Sequence, residues 1–240
     1  MTCINLLFVL NLLKAPDYVS LINLVFGILA ILFSMNGDYE IAAVCIIIAA
    51  AADGADGYIA RKTTSGPLGA HLDSLIDIVS FGVAPAVLIY GMGEKLALIP
   101  LISFYVICGV LRLARYNAFP ADKPGYTGIP ITGAAVFIAT LIIFNYNITQ
   151  LGYEILYAAE ILQTFMFILS LLMISPFSYP KVMKKEIFIL LIILFFGTTA
   201  SVFTDISFMI LFSFVLTGLM CLYLISPANV LIDRKKKIEL

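Results

Sequence analysis

Apolar runs of about the length of a membrane-spanning helix follow one another through almost the whole chain. Hydrophobic residues make up 62% of the sequence and charged residues only 12%, against roughly 25% charged residues in a soluble domain. Because a bilayer offers no partner for backbone amides, only helices that satisfy their own hydrogen bonds can fill such runs. The sequence therefore predicts an all-α integral membrane protein.

Eight spans fit this pattern, and the fifth of them is short. We expect them at residues 17–36, 39–62, 67–90, 95–116, 132–146, 153–174, 186–203 and 206–226. Residues 1–15 are apolar but too short to cross a bilayer of ordinary thickness. They are predicted to form an amphipathic helix that lies at the membrane interface before the first span.

Basic residues are distributed unevenly between the two sides of these spans. With Lys14 on the cytoplasmic side, thirteen of the 14 Lys and Arg residues fall on that side, and only Lys95 falls outside. Cytoplasmic loops of membrane proteins carry an excess of Lys and Arg. The sequence therefore predicts a multi-pass protein of the cell membrane, with both termini on the cytoplasmic side.

Four aspartates lie in one short stretch of this apolar chain, DGADGYIARKTTSGPLGAHLDSLID (53–77). A charged side chain at the centre of a bilayer costs roughly 2.5–3.5 kcal/mol on insertion scales, so four of them close together indicate a functional site. If both flanks are helical, their repeat defines two faces: Asp53, Asp56, Gly57 and Ala60 on one, and Gly69, Asp73 and Asp77 on the other.

A turn at 65–67 would make these two helices adjacent and antiparallel, so that the four carboxylates point at one another. Anions that converge in a medium of low dielectric constant repel strongly unless cations lie between them. Hard oxygen ligands of this kind suit Mg²⁺, Mn²⁺ or Ca²⁺. The stretch therefore predicts a divalent metal site on the cytoplasmic side.

The pattern D-x-x-D-G-x-x-A-R, then seven residues, then G-x-x-x-D-x-x-x-D resembles the signature of the CDP-alcohol phosphotransferases. All of its fixed positions are filled: Asp53, Asp56, Gly57, Ala60, Arg61, Gly69, Asp73 and Asp77. The segments LDSLIDIVSFGVAPA (72–86) and LRLARYN (111–117) are similar to the phosphatidylserine synthase branch, which includes archaetidylserine synthases. The resemblance covers about residues 14–181. It implies a six-helix core at 16–185, with two further helices and a basic tail at 186–240.

This resemblance implies that L-serine attacks CDP-diacylglycerol or CDP-archaeol in the bilayer and that CMP leaves. It implies a divalent metal, Mg²⁺ or Mn²⁺, as two ions bound by Asp53, Asp56, Asp73 and Asp77, with Asp77 also acting as the general base. It further implies a homodimer, and we expect no nucleic-acid partner.

The resemblance also implies where the substrates bind. Four residues would contact the CDP-lipid: Gly57, Ala60, Arg61 and Gly69. The three small residues among them let a nucleotide and a facing helix approach the backbone closely. Arg112 and Arg115 are three residues apart and can share a helix face, and a guanidinium matches the carboxylate of serine with two parallel hydrogen bonds.

One departure from the family lies at the start of the first span. The family often shows Pro-Asn followed by Thr, whereas this chain has Pro16-Asp17 and then Ser20. Serine replaces the threonine hydroxyl, but aspartate removes an amide donor from a position that would contact cytidine or phosphate.

Three alternatives remain open at this point. A related synthase that uses inositol phosphate or glycerol phosphate would need a denser basic pocket near the motif. An intramembrane prenyltransferase normally has its aspartate motifs on well-separated helices. A cation transporter predicts metal flux without release of CMP.

Overall fold

The computed structural model describes residues 12–60, 62, 68–93, 95–119, 126–179, 185–203 and 210–238. Within these residues the chain forms eight helices: α1 (Ala15–Asn36), α2 (Tyr39–Ala60), α3 (Gly69–Met92), α4 (Lys95–Ala118), α5 (Ile131–Gln150), α6 (Ala158–Ile174), α7 (Lys185–Phe203) and α8 (Ile210–Ile238). Helices α1 to α5 are long and apolar enough to cross a membrane. The prediction of an all-α, multi-pass membrane protein is thereby confirmed. Residues 1–11 of the predicted interfacial helix lie outside the described residues.

Three helices differ from their predicted bounds by four residues or more. Helix α5 has 20 residues rather than the short span expected, because the polar Asn147 is buried inside the protein and does not end it. Helix α6 begins five residues later than expected, since Gly152 and Tyr157 adopt left-handed backbone conformations, with φ of 83° and 59°. Helix α8 continues past Ser226 to Ile238, beyond the end of the apolar run from which the span was predicted.

The packing is organised around α2, which contacts α1, α3, α5 and α7. Its buried face is rich in alanine, and so is the buried face of α5. Small side chains let helix backbones approach closely, which favours association where lipid and protein interior are equally apolar. The result is a continuous buried core that leaves the polar end of α2 beside the beginnings of α1, α3 and α5.

Helices α7 and α8 are joined to this core by a buried polar contact. Asn147 of α5 donates hydrogen bonds from Nδ2 to Oγ of Ser201 at 2.9 Å and to Oγ of Ser213 at 3.0 Å. Ser201 belongs to α7 and Ser213 to α8, so one carboxamide binds both helices. A hydrogen bond between membrane helices contributes about 0.6 kcal/mol on average, and it also fixes their relative position.

Helix α3 contains one irregular turn, which the sequence reasoning did not predict. Residues Ile78–Val83 form a π-helix between two α-helical parts, Gly69–Asp77 and Ala84–Met92. Turns of this kind are often found at functional sites. This one begins directly after Asp77 and packs on α1, where Ser80 donates to the backbone carbonyl of Asn23 at 3.2 Å.

Candidate active site

Carboxylates of α2 and α3 meet where α2 ends and α3 begins. One oxygen each from Asp53, Asp56 and Asp73 lie within 4.8 Å of one another. Asp53 and Asp56 are three residues apart near the end of α2, and Asp73 lies one turn into α3. The structure therefore brings three of the four predicted carboxylates together, and their mutual repulsion must be offset by nearby positive charge.

Asp77 lies one turn further along α3 than Asp73 and is 7% exposed. It falls outside the 4.8 Å group but is close enough to Asp53 and Asp73 to interact with both electrostatically. Its Oδ1 atom is enclosed and has no hydrogen-bond partner among the described residues. Because buried polar atoms are nearly always paired, this atom is available to a ligand or to a neighbouring group.

Two hydroxyl groups from other helices hold the carboxylates in place. Ser20 of α1 donates from Oγ to Oδ2 of Asp56 at 2.5 Å. Thr132, at the start of α5, donates from Oγ1 to Oδ2 of Asp53 at 3.2 Å. Sequence reasoning did not single out Thr132, although its place two residues after Pro130, at the first turn of a span, was a usable signal.

Arg112 of α4 faces this group of acids. It is 7% exposed, and its guanidinium interacts electrostatically with Asp53 and Asp77. The same guanidinium lies 5.8 Å from the centre of the Tyr116 ring. Arg112 is therefore a buried positive charge placed to offset the acids and to meet an anionic ligand beside them.

Arg115, the second predicted serine ligand, lies in different surroundings. Its guanidinium donates to backbone carbonyls at three positions: Thr127 at 2.6 Å, Met173 at 3.2 Å and Ile174 at 3.2 Å. The last two carbonyls are at the end of α6, where no intrahelical donor remains and the helix dipole favours a cation. Arg115 thus fastens the segment before α5 to the end of α6.

The backbone of that segment is bound to the same place. Gly128 donates its N–H to the carbonyl of Phe177 at 2.7 Å, and Ile129 donates to that of Leu172 at 3.1 Å. Just before them, Tyr126–Thr127 (β1) pairs in antiparallel fashion with Ser178–Tyr179 (β2). These contacts decide where α5 begins, and so they place Thr132 beside Asp53.

The remaining predicted contacts line the same end of the bundle. Gly57 and Ala60 are half-buried on α2, and Gly69 begins α3 so close to α1 that a Cβ there would lie 3.1 Å from Oδ1 of Asp17. Asp17 itself is buried and accepts a hydrogen bond from the N–H of Lys14 at 2.7 Å, which caps α1. The residue that departs from the family pattern therefore stabilises its own helix. Arg61 lies outside the described residues.

The residues present fit a divalent metal ion. Carboxylates are the hard oxygen ligands that Mg²⁺, Mn²⁺ and Ca²⁺ prefer. Ligand oxygens around an octahedral Mg²⁺ are about 3–4 Å apart, close to the separation found here. Ser20 and Thr132 orient two of these carboxylates, as partners behind metal ligands commonly do.

Taken together, fold and site define a multi-pass helical membrane protein with a divalent-metal site at one end of its bundle. The chain belongs to the CDP-alcohol phosphatidyltransferase family, whose pattern matches residues 13–217. The match extends beyond residue 181, where the recognised resemblance ended, and includes α7 and the beginning of α8. Enzymes of this family depend on divalent metals, which agrees with the acidic cluster.

Three of the similar proteins come from archaea and bacteria. The chain is 37% identical over 177 residues to an archaetidylserine synthase of Methanothermobacter thermautotrophicus, covering 72% of each chain. It is 38% identical over 178 residues to a CDP-diacylglycerol–serine O-phosphatidyltransferase of Methanocaldococcus jannaschii, covering 73% of this chain and 78% of the relative. A Helicobacter pylori protein with the latter name is 30% identical over 190 residues, covering 74% of this chain and 78% of the relative.

The contacts of Gly128 lead to a first prediction. Its φ is 75°, and an added Cβ would clash with the carbonyl of Met173 and lie 2.9 Å from Nη2 of Arg115. Gly152 provides a matched control, because its φ is 83° but nothing lies within 4 Å of an added Cβ. Gly152→Ala should cost roughly 1–2 kcal/mol of unfolding free energy from backbone strain alone. Gly128→Ala should cost about 1–3 kcal/mol more through overpacking.

Thermal unfolding of the two purified variants in the same detergent measures this difference. Gly128→Ala should also lose activity at temperatures where it remains folded, because Thr132 would move away from Asp53. Equal melting temperatures for the two variants would contradict the assigned packing.

Proposed function

We propose that this protein transfers the phosphatidyl or archaetidyl group of a CDP-lipid, CDP-diacylglycerol or CDP-archaeol, to the hydroxyl of L-serine. In this reaction a bond forms between the serine oxygen and the lipid-side phosphorus, and the bond from that phosphorus to the CMP oxygen breaks. The observation that carries the proposal is the convergence of Asp53, Asp56 and Asp73 beside Asp77 and Arg112. The names of the three relatives support serine as the acceptor.

The CDP head group would lie at the polar end of the bundle while its lipid chains remain in the bilayer. Gly57, Ala60 and Gly69 lie around the carboxylates and have no bulky side chain to keep a nucleotide away. Arg61, next along the chain, would meet a phosphate. Phosphoryl transfer depends on positioning and charge neutralisation more than on covalent chemistry by the protein, so this arrangement suits it.

The metal would be Mg²⁺ or Mn²⁺, as two ions, held by Asp53, Asp56, Asp73 and Asp77. Bound there, it would neutralise the diphosphate oxygens and stabilise the departing CMP. The chain's own contribution is to hold its ligands still: Ser20 fixes Asp56 and Thr132 fixes Asp53. Rigid ligands of this kind are what positioned catalysis requires.

Asp77 would take the proton from the serine hydroxyl as that oxygen attacks. It is nearly buried, one turn beyond Asp73, and it interacts electrostatically with Asp53 and Asp73. An enclosed position of this kind would limit competing attack by water. A positioned base of this kind typically contributes about 10²–10⁴-fold to the rate.

Arg112 is the better placed of the two arginines to hold the carboxylate of serine. It is buried beside Asp53 and Asp77, at the site where the acceptor would bind, whereas the guanidinium of Arg115 binds carbonyls before α5 and at the end of α6. A guanidinium can offer two parallel hydrogen bonds to a carboxylate, which a lysine ammonium cannot. Arg115 would then act by holding the start of α5 in place.

The active end would face the cytoplasm, so that serine would enter from that side and CMP would leave to it. The distribution of Lys and Arg along the chain supports this orientation. We further propose that the enzyme works as a homodimer in the membrane, as the family resemblance implies.

An assay on the purified protein tests the proposed reaction. Wild-type protein is mixed with Mg²⁺ or Mn²⁺, with CDP-diacylglycerol or CDP-archaeol, and with labelled serine, glycerol phosphate or inositol phosphate. Of the three labelled acceptors, we expect only serine to give CMP release and a labelled lipid. A labelled lipid formed only from a phosphorylated acceptor would assign a different synthase, and metal flux into liposomes without CMP release would indicate a transporter.

The metal site makes a second prediction that does not depend on turnover. Asp73→Asn should weaken Mn²⁺ binding by at least about tenfold, because it removes one of three converging anionic ligands. Asp38→Asn changes the same residue type at the opposite end of α2 and serves as the control. Binding is followed by the paramagnetic resonance of free Mn²⁺, and equal affinities for the two variants would remove Asp73 from the ligand set.

The assignment of Arg112 makes a third prediction. Arg112→Lys keeps the charge but loses the paired hydrogen bonds, so the KM for serine should rise roughly 10-fold or more while the KM for CDP-lipid changes little. Arg115→Lys should instead lower the melting temperature. Serinol, which lacks the carboxylate, should be a poor acceptor for the wild-type enzyme; if serine and serinol react equally well, Arg112 does not bind a carboxylate.

A further inference from the structure

Asn23 of α1 is a buried polar residue that the site described so far does not use. It is 0% exposed, and neither Nδ2 nor Oδ1 of its side chain has a hydrogen-bond partner among the described residues. Burying an amide without a hydrogen-bond partner is energetically costly. Polar residues inside membrane helices generally have a functional role, so we expect one for this carboxamide.

Two contacts between α1 and α3 show what Asn23 faces. A Cβ on Gly69 would approach Asp17, and a Cβ on Gly27 would lie 2.9 Å from Cα of Ser80. These helices therefore run side by side in the same direction, and Asn23 lies between the two contacts. Counting inward places Asn23 level with residue 75 from the first contact and with residue 76 from the second, within the turn of α3 that ends at Asp77.

The residue of that turn with an unmatched polar atom is Asp77. Its enclosed Oδ1 has no hydrogen-bond partner among the described residues, as is true of the Asn23 carboxamide. In both helices side chains tilt toward the helix N-terminus, which here is the same end of the bundle, so the two groups lean in the same direction. The π-helical turn of α3 begins directly after Asp77, at Ile78.

We propose that Asn23 is a positioning residue, whose carboxamide holds Oδ1 of Asp77 through one buried water molecule. Nδ2 of Asn23 donates to the water, and the water donates to Oδ1. A buried water usually makes about three hydrogen bonds to polar groups that would otherwise be unsatisfied, and this site supplies both kinds of group. The proposal deepens the proposed function, since it rests on Asp77 being the base of that reaction.

The consequence for catalysis is a fixed carboxylate. With Oδ1 held from the side of α1, Asp77 cannot rotate freely, and its other oxygen stays toward the acceptor. Asn23 itself touches neither serine nor the CDP-lipid. Its loss should therefore lower kcat and leave both KM values nearly unchanged.

A pair of variants of equal shape tests the role of the polar group. Asn23→Thr keeps a hydroxyl that can bind the water, whereas Asn23→Val has the same shape without it. We expect Asn23→Val to lose roughly 10–100-fold in kcat, the range found for partners that orient active-site ligands, and Asn23→Thr to retain most of the wild-type rate. The same pair at Asn147, which is also buried, is the control and should leave the kcat of folded protein unchanged.

The kcat and KM values of these variants either support or overturn the role proposed for Asn23. If Val and Thr at position 23 give the same kcat, whether high or low, hydrogen bonding by Asn23 does not position the base. A change confined to KM would likewise overturn the proposal. If Asn23→Val does not fold, Asn23→Ala against Asn23→Ser makes the same comparison. A wild-type protein that releases no CMP with serine refutes the proposed function, whereas an active wild type with a fully active Asn23→Val refutes only this inference.

Discussion

Repulsion between carboxylates is the constraint on which the rest of the structure depends. Three of them lie within 4.8 Å at the end of apolar helices, and Asp77 lies close by. At an effective dielectric constant of about 20, two unit charges 4 Å apart interact by roughly 4 kcal/mol. The hydroxyls of Ser20 and Thr132 and the buried guanidinium of Arg112 offset part of this repulsion. A divalent cation bound among the carboxylates would neutralise the remaining charge.

The site is built by elements that are far apart in sequence. Helices α1, α2, α3 and α5 each place at least one side chain at the acids, and α4 adds Arg112. Arg115 and Gly128 join the segment before α5 to the end of α6, so a contact outside the acidic cluster controls a hydroxyl within it. Packing and chemistry are coupled in this way because α5 can begin at only one place once that segment is bound.

Two buried asparagines show how polar groups serve different purposes in this bundle. Asn147 is satisfied by Ser201 and Ser213, and it holds α7 and α8 against α5. Asn23 is equally buried, but its carboxamide has no partner among the described residues, and it lies level with the turn of α3 that ends at Asp77. A satisfied polar group fixes a helix interface, whereas an unsatisfied buried one is costly unless it serves another purpose.

Hydropathy determined where the spans lie, and the helical repeat determined that Asp53 and Asp56 share a face, because both depend only on neighbouring residues. The end of α5 depended on the burial of Asn147 and the start of α6 on left-handed turns, and hydropathy measures neither. The sequence also treated Arg112 and Arg115 alike, since they are three residues apart on one helix. Only the tertiary structure separated them, because one faces the acids of α2 and α3 and the other faces the end of α6. The same holds for Thr132 and Asn23, whose neighbours come from distant parts of the chain.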